Sequence, residues 1–142
     1  MENEVNVMDE LNKGASMGMD AVNYILEHAK DKGFIKVLNK LATDYQEILD
    51  SISNIYPEYS NKEPHETNAI SKLMTWTGIE MKTIVDDSTS HLAELVANGI
   101  NMGIIEGRRI LNQKELNSEV KPIAEKYVSM QENGLEDIKK FL

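Results

Sequence analysis

Glu106 is the residue of this sequence whose position bears most directly on chemistry. It follows Gly103 and lies between Met102 and Ile110 on an apolar stripe with helical spacing. A carboxylate on an inward face must be paired, hydrogen-bonded or protonated, because an isolated buried charge is costly. Arg109, three residues on, can reach it across one turn. Two interpretations remain open: a satisfied ion pair or water-reached bundle end, and a ligand or proton-carrying group in a cavity.

A second group of polar residues precedes Glu106. Asp87, His91 and Glu94 occupy successive turns, and His91 and Glu94 could present a nitrogen and a carboxylate to a metal. The pair straddles the boundary of the apolar stripe, so we interpret Asp87 as a helix cap and His91 as a boundary residue. We expect no metal and no cofactor. If a metal binds, the expected ligands are Glu106, His91 and Asp44, which lies at the edge of an inward face.

Motifs of the common enzyme classes are missing from the sequence. There is no nucleophile elbow, phosphate loop or dinucleotide fingerprint, and there is no cysteine to act as a nucleophile, thiolate ligand or disulfide. The sequence therefore predicts a protein that is not an enzyme, with no catalytic residues.

The elements that position these residues are helices. Apolar residues recur three and four apart between prolines at 57, 64 and 122, which is typical of an all-α domain. A single domain is expected, with one hairpin over 4–55, a crossover over 56–87 that is helical at about 67–85, and a second hairpin over 88–142. We expect Gly33 to be the left-handed cap between the first two helices, which should cover 4–30 and 34–55, and the last helix to cover 118–141.

The helical spacing continues in phase from 67 to 110. One helix of that length would span roughly 65 Å, well beyond the length of the first helix. Residues 86–90, Asp-Asp-Ser-Thr-Ser, offer good N-cap chemistry, so we expect a break there.

The two hairpins resemble each other. Met17-Gly18-Met19 matches Met102-Gly103-Ile104 at an offset of 85 residues, and Leu41 matches Tyr127 at an offset of 86. Such matches suggest a duplicated unit packed about a pseudo-two-fold axis, although two amphipathic helices can also match by coincidence.

A hairpin, a long crossover and a second similar hairpin resemble the ferritin-like helical bundles of the rubrerythrin and bacterioferritin type. Residues 14–20, 88–94 and 101–106 also resemble small uncharacterised proteins of low-GC Gram-positive bacteria. The resemblance implies a four-helix bundle. It does not imply the di-metal centre of the metal-binding members, which needs Glu-x-x-His on two helices. That motif is absent, and the histidines are His28, His65 and His91.

A second apolar face points to binding. Trp76 and Ile79 lie off the main stripe of the crossover helix, as do Ile100 and Ile104 on the next helix. We expect this face to mediate homo-oligomerisation or to bind a protein or an apolar small molecule. The alternative is a metal-binding ferritin-like protein with the atypical carboxylate and histidine site described above.

The overall charge restricts the partners and the location. The 142 residues carry 24 acidic and 15 basic side chains, a formal net charge of −9, which disfavours nucleic acid and anionic membranes. The amino terminus lacks the pattern of a signal peptide, and no long apolar run follows. We therefore expect a cytoplasmic protein.

Overall fold

The computed structural model describes residues 2–64 and 86–142, and these residues fold into four α-helices and a short 3-10 helix. The helices are α1 (Glu2–Leu26), α2 (Lys32–Ile55), α3 (Thr89–Gln113) and α4 (Lys121–Lys139), and the 3-10 helix covers Tyr56–Glu58. The described ranges contain no strand, which confirms the predicted all-α class. The helix expected at about 67–85 lies outside them.

The helices form a bundle in which neighbours run antiparallel. α1 packs on α2 and α3 packs on α4, while α1–α3 and α2–α4 contacts close the bundle. The Asn3 amide donates to the Glu115 carbonyl (2.7 Å), so α1 begins where α3 ends. Lys30 pairs with Asp87 (3.2 Å), which places the start of α3 beside the turn between α1 and α2. α2 and α3 are therefore diagonal and parallel, and α2 ends at the opposite end of the bundle from the start of α3.

The core lies along the axis of this bundle and is continuous from end to end. Each helix contributes apolar residues at helical spacing, and fully burying one such side chain is worth about 1.5–3 kcal/mol. The largest of those with almost no exposure are Tyr45, Tyr127, Phe34, Met8, Leu11, Ile25, Leu38, Leu41, Ile48, Ile52 and Leu92.

The start of α2 differs from the sequence-based expectation. Asp31 is the N-cap, and its carboxylate accepts a hydrogen bond from the Phe34 amide (2.9 Å). α1 ends at Leu26, and Gly33 lies inside the first turn of α2. The prediction that Gly33 is a left-handed cap is wrong, because the Asp31 carboxylate satisfies a free amide of the first turn and lets the helix begin at Lys32.

The predicted start of a helix within residues 86–90 is confirmed, since α3 begins at Thr89. The cap is Ser88, whose hydroxyl accepts from the His91 amide (3.3 Å), rather than Asp87. Asp87 is instead the partner of Lys30 in the ion pair described above. Pro122 stands in the first turn of α4, where its missing N–H costs nothing.

Among the helices of residues 2–64 and 86–142, none is both long enough and apolar enough to cross a bilayer.

Candidate functional site

A buried polar chain crosses the centre of the bundle. The Tyr45 hydroxyl on α2 donates to Oε1 of Gln131 on α4 (2.8 Å), and Nε2 of Gln131 donates to the Tyr127 carbonyl (3.0 Å). Tyr45 and Gln131 are fully buried, and Tyr127 is 1% exposed. Burial raises the pKa of Tyr45 well above its ordinary value, with nearby Tyr127 adding to the effect. The Tyr45 hydroxyl and the Gln131 amide are therefore uncharged, and both have hydrogen-bond partners.

Glycines on the two other helices make room for this chain. A Cβ on Gly18 of α1 would lie 2.5 Å from Cζ of Tyr45, and a Cβ on Gly103 of α3 would overlap Oε1 of Gln131. Gly18 and Gly103 are 85 residues apart, and Tyr45 and Gln131 are 86 apart. The two hairpins therefore place equivalent residues at the centre, which supports the hypothesis of a duplicated unit.

From this centre the polar residues continue towards α1. Gly14 leaves space for the Tyr127 hydroxyl, and a Cβ at that position would also lie 3.3 Å from Oε1 of Glu106. Burial raises the pKa of Tyr127, the negative charge of Glu106 raises it further, and the hydrogen bond from Gln131 opposes both effects. Tyr127 consequently keeps its proton beside Glu106.

Glu106 is half-buried and lacks the partner that its spacing predicted. Within residues 2–64 and 86–142 it forms no ion pair or hydrogen bond, with Arg109 or with any other residue. Burial raises the pKa of Glu106 above 4.5, the nearby Glu10 charge raises it further, and Lys13 lowers it. The interpretation of Glu106 as half of a core ion pair with Arg109 is wrong, because in the described residues no ion pair joins the two and Arg109 is exposed.

Glu106 opens into a groove between α1 and α3, which we name the α1–α3 groove. Its volume is about 660 Å³. Met102 and Ile105 of α3 are 50% and 45% exposed, making them two of the most exposed large apolar residues in the described part of the chain. The residues that line the groove are Glu10, Lys13, Met17, Met102, Ile105, Glu106, Arg109, Ile110, Gln113 and Lys114.

The conditional metal ligands are not brought together. His91 lies fifteen residues before Glu106 on the same helix, about 22 Å along its axis. Asp44 lies on α2, diagonal to α3, and pairs with Lys40 (2.9 Å). His91 instead contacts Glu94 (3.4 Å), as the spacing indicated. Among residues 2–64 and 86–142, no three acidic, histidine or cysteine side chains form a cluster suited to a metal.

The predicted interaction surface needs correction. Ile100 is fully buried, near Gly134 of α4, and so belongs to the core. Ile104 is partly buried and packs against that core. α3 has two neighbouring helices, so its buried arc is wider than the single stripe that the sequence analysis assigned to it. Trp76 and Ile79 lie outside the described residues.

Two features were missed by the sequence analysis. Met102 was placed on the inward stripe although it is half-exposed, and the exposure of Ile105 was not predicted. The contact between Tyr45 and Gln131 was also missed. The repeat offset of 86 that relates Leu41 to Tyr127 also relates these two residues, so the signal was present.

Comparisons of this chain with protein-family models, with curated proteins and with solved structures find no match.

Proposed function

We propose that this chain is a non-catalytic helical bundle that binds a partner protein through the α1–α3 groove. The partner surface must carry apolar side chains for Met102 and Ile105, flanked by charges of both signs. The observation that carries the proposal is the exposure of these two large apolar residues above a half-buried, unpaired carboxylate. Exposed apolar residues that surround a concave surface are typical of an interaction site.

The charges around the groove fit binding better than catalysis. Tyr127 is held protonated by burial, and Glu106 is flanked by Glu10 and Lys13. Of the histidines in the described residues, His28 and His91 lie near the end of the bundle where Lys30 meets Asp87. Glu106 therefore has no histidine beside it, from the described part of the chain, to share a proton-transfer step.

A small apolar molecule is the second candidate occupant of the groove. A volume of about 660 Å³ falls within the range of small-molecule sites, roughly 300–1,000 Å³. The methionines Met17 and Met102 can adapt to an irregular ligand. A protein remains the better candidate, because five charged side chains of both signs surround the apolar residues.

We further propose membership of the ferritin-like superfamily and a cytoplasmic location. The support for the first is the arrangement of two antiparallel hairpins whose second and third helices are diagonal and parallel, as a single long crossover requires. The support for the second is the acidic, cysteine-free composition.

Photocrosslinking at the groove tests the proposal directly. The photoreactive residue p-benzoylphenylalanine replaces Ile105 in the full chain, expressed in the cells that produce it natively, and adducts are resolved by mass. The matched control carries it at Leu142, another exposed apolar residue, 58% exposed and outside the groove. We expect a discrete protein adduct at Ile105 and none at Leu142. Failure to form an adduct at Ile105, or equal adducts at both positions, contradicts the proposal.

A further inference from the structure

We propose that the partner is a second copy of this chain, docked groove to groove about a two-fold axis. This inference rests on the proposed function, because it names the partner of the same α1–α3 groove. The apolar centre of each copy, Met102 and Ile105, then packs against its equivalent in the other copy.

The charged residues of the groove can pair with those of the same groove in a second copy. Glu10 and Glu106 are acidic, Lys13, Arg109 and Lys114 are basic, and all five line the groove. No ion pair joins one of these acids to one of these bases within a copy, in the part of the chain that the structure describes. In an isologous interface the same surface faces itself, so the acids of one copy can meet the bases of the other. A groove of one sign would repel its own copy.

The groove residues run from Glu10 to Met17 on α1 and from Met102 on α3 to Lys114 at its C-terminal cap, about 18 Å along α3. A standard interface buries about 800 Å² per partner, so we expect the contact between the two copies to continue along α1 and α3 beyond the groove. The apolar centre and charged rim of the groove match the usual composition of an interface.

Docking would also give Glu106 a direct ionic partner. A half-buried carboxylate without an ion pair is unfavourable; within one copy the charge of Glu10 raises the pKa of Glu106 further, and Lys13 opposes this effect without forming an ion pair. Lys13 or Arg109 of the second copy would bring a cation to it across the interface. The dimer would therefore account for the half-buried, unpaired position of Glu106.

Charge reversal followed by mixing tests the inference. One variant carries Glu10→Lys and Glu106→Lys, and the other carries Lys13→Glu and Arg109→Glu. Each variant alone opposes like charges at both halves of the interface, so its dimer should dissociate at least about ten-fold more readily than the wild type. An equimolar mixture restores opposite charges and should recover a dimer with one copy of each. Light scattering gives the size, and native mass spectrometry gives the composition.

Three controls keep the test decisive. Circular dichroism checks that each variant is helical, and Lys36→Glu with Lys121→Glu reverses exposed charges outside the groove and should leave the dimer intact. Met102→Asp with Ile105→Asp changes only exposed positions and should also give monomers. A monomeric wild type, or a mixture of helical variants that stays monomeric, overturns the inference.

The photocrosslinking result separates this inference from the proposed function. An adduct at Ile105 with twice the mass of the chain supports both. An adduct of another mass overturns the second copy as partner and leaves the proposed function standing. The absence of an adduct overturns both.

Discussion

The hydrogen bond between Tyr45 and Gln131 joins the two hairpins at the centre of the bundle, and removing it gives a sharp stability prediction. Tyr45→Phe deletes the hydroxyl that donates to Oε1 of Gln131 (2.8 Å) between two fully buried side chains. Oε1 is then a buried acceptor without its donor, which costs about 1–3 kcal/mol. At roughly 2–4 °C per kcal/mol for a domain of this size, the melting temperature should fall by roughly 2–12 °C.

The partner substitution completes a double-mutant cycle. Gln131→Leu leaves the Tyr45 hydroxyl without its acceptor and should cost a similar amount, about 1–3 kcal/mol. The variant with both changes replaces the polar pair by apolar groups of similar shape. It should therefore be more stable than the sum of the two single losses predicts, with a coupling of about 1–3 kcal/mol.

Urea unfolding followed by circular dichroism measures all four members of the cycle. Tyr59→Phe is the matched control, because the Tyr59 hydroxyl bonds to Glu119 (2.6 Å) at an exposed site and its loss should cost no more than about 0.5 kcal/mol. A loss below about 0.5 kcal/mol in Tyr45→Phe, or strict additivity in the double variant, would refute the reasoning.

Two further predictions concern the glycine and the carboxylate beside this centre. Gly103→Ala should destabilise the protein by about 1–3 kcal/mol in urea unfolding, because its Cβ overlaps the Gln131 amide, whereas Asn101→Ala on the exposed side of α3 should change stability by no more than about 0.5 kcal/mol. The pKa of Glu106 is raised above its ordinary value of 4.5 in the folded state. The wild type should therefore lose stability as the pH rises from 4.5, where Glu106 ionises in the unfolded chain, through the higher pKa of the folded state. Glu106→Gln should lack that loss. The stability gained by Glu106→Gln should thus be larger above this pH window than below it; an equal gain at both ends would show that burial does not raise the pKa.

Most of the fold could be predicted from helical spacing and capping residues. The period of the apolar residues predicted helices and no strands, and the Asp-Asp-Ser-Thr-Ser segment at 86–90 predicted where α3 begins. The boundary at Gly33 was wrong because two local signals competed there. A glycine favours a helix end, but Asp31 two residues earlier caps the next helix, and the cap determined where α2 begins.

The site was predicted less well, for a reason that lies in the geometry of bundles. An assignment from one apolar stripe assumes that the helix packs against one neighbour. α3 instead packs against α1 on one side and α4 on the other. Ile100, assigned to the outside, faces α4, and Met102, assigned to the inside, lies over the edge of the α1–α3 groove. Which neighbour lies at which angle is a tertiary property, and no local pattern specifies it.

The contact between Tyr45 and Gln131 also bears on the hypothesis of a duplicated unit. In a bundle with a two-fold axis, residues at the axis meet their own equivalents, and Tyr45 meets Gln131 at the repeat offset of 86. Two identical chains would be forced to place the same residue on both sides of such an axis. A single chain with two hairpins is free to place a donor on one side and an acceptor on the other, and Gly18 and Gly103 leave room for Tyr45 and Gln131 respectively. Joining the two hairpins in one chain therefore permits a pair of unlike residues, a donor and an acceptor, at this position.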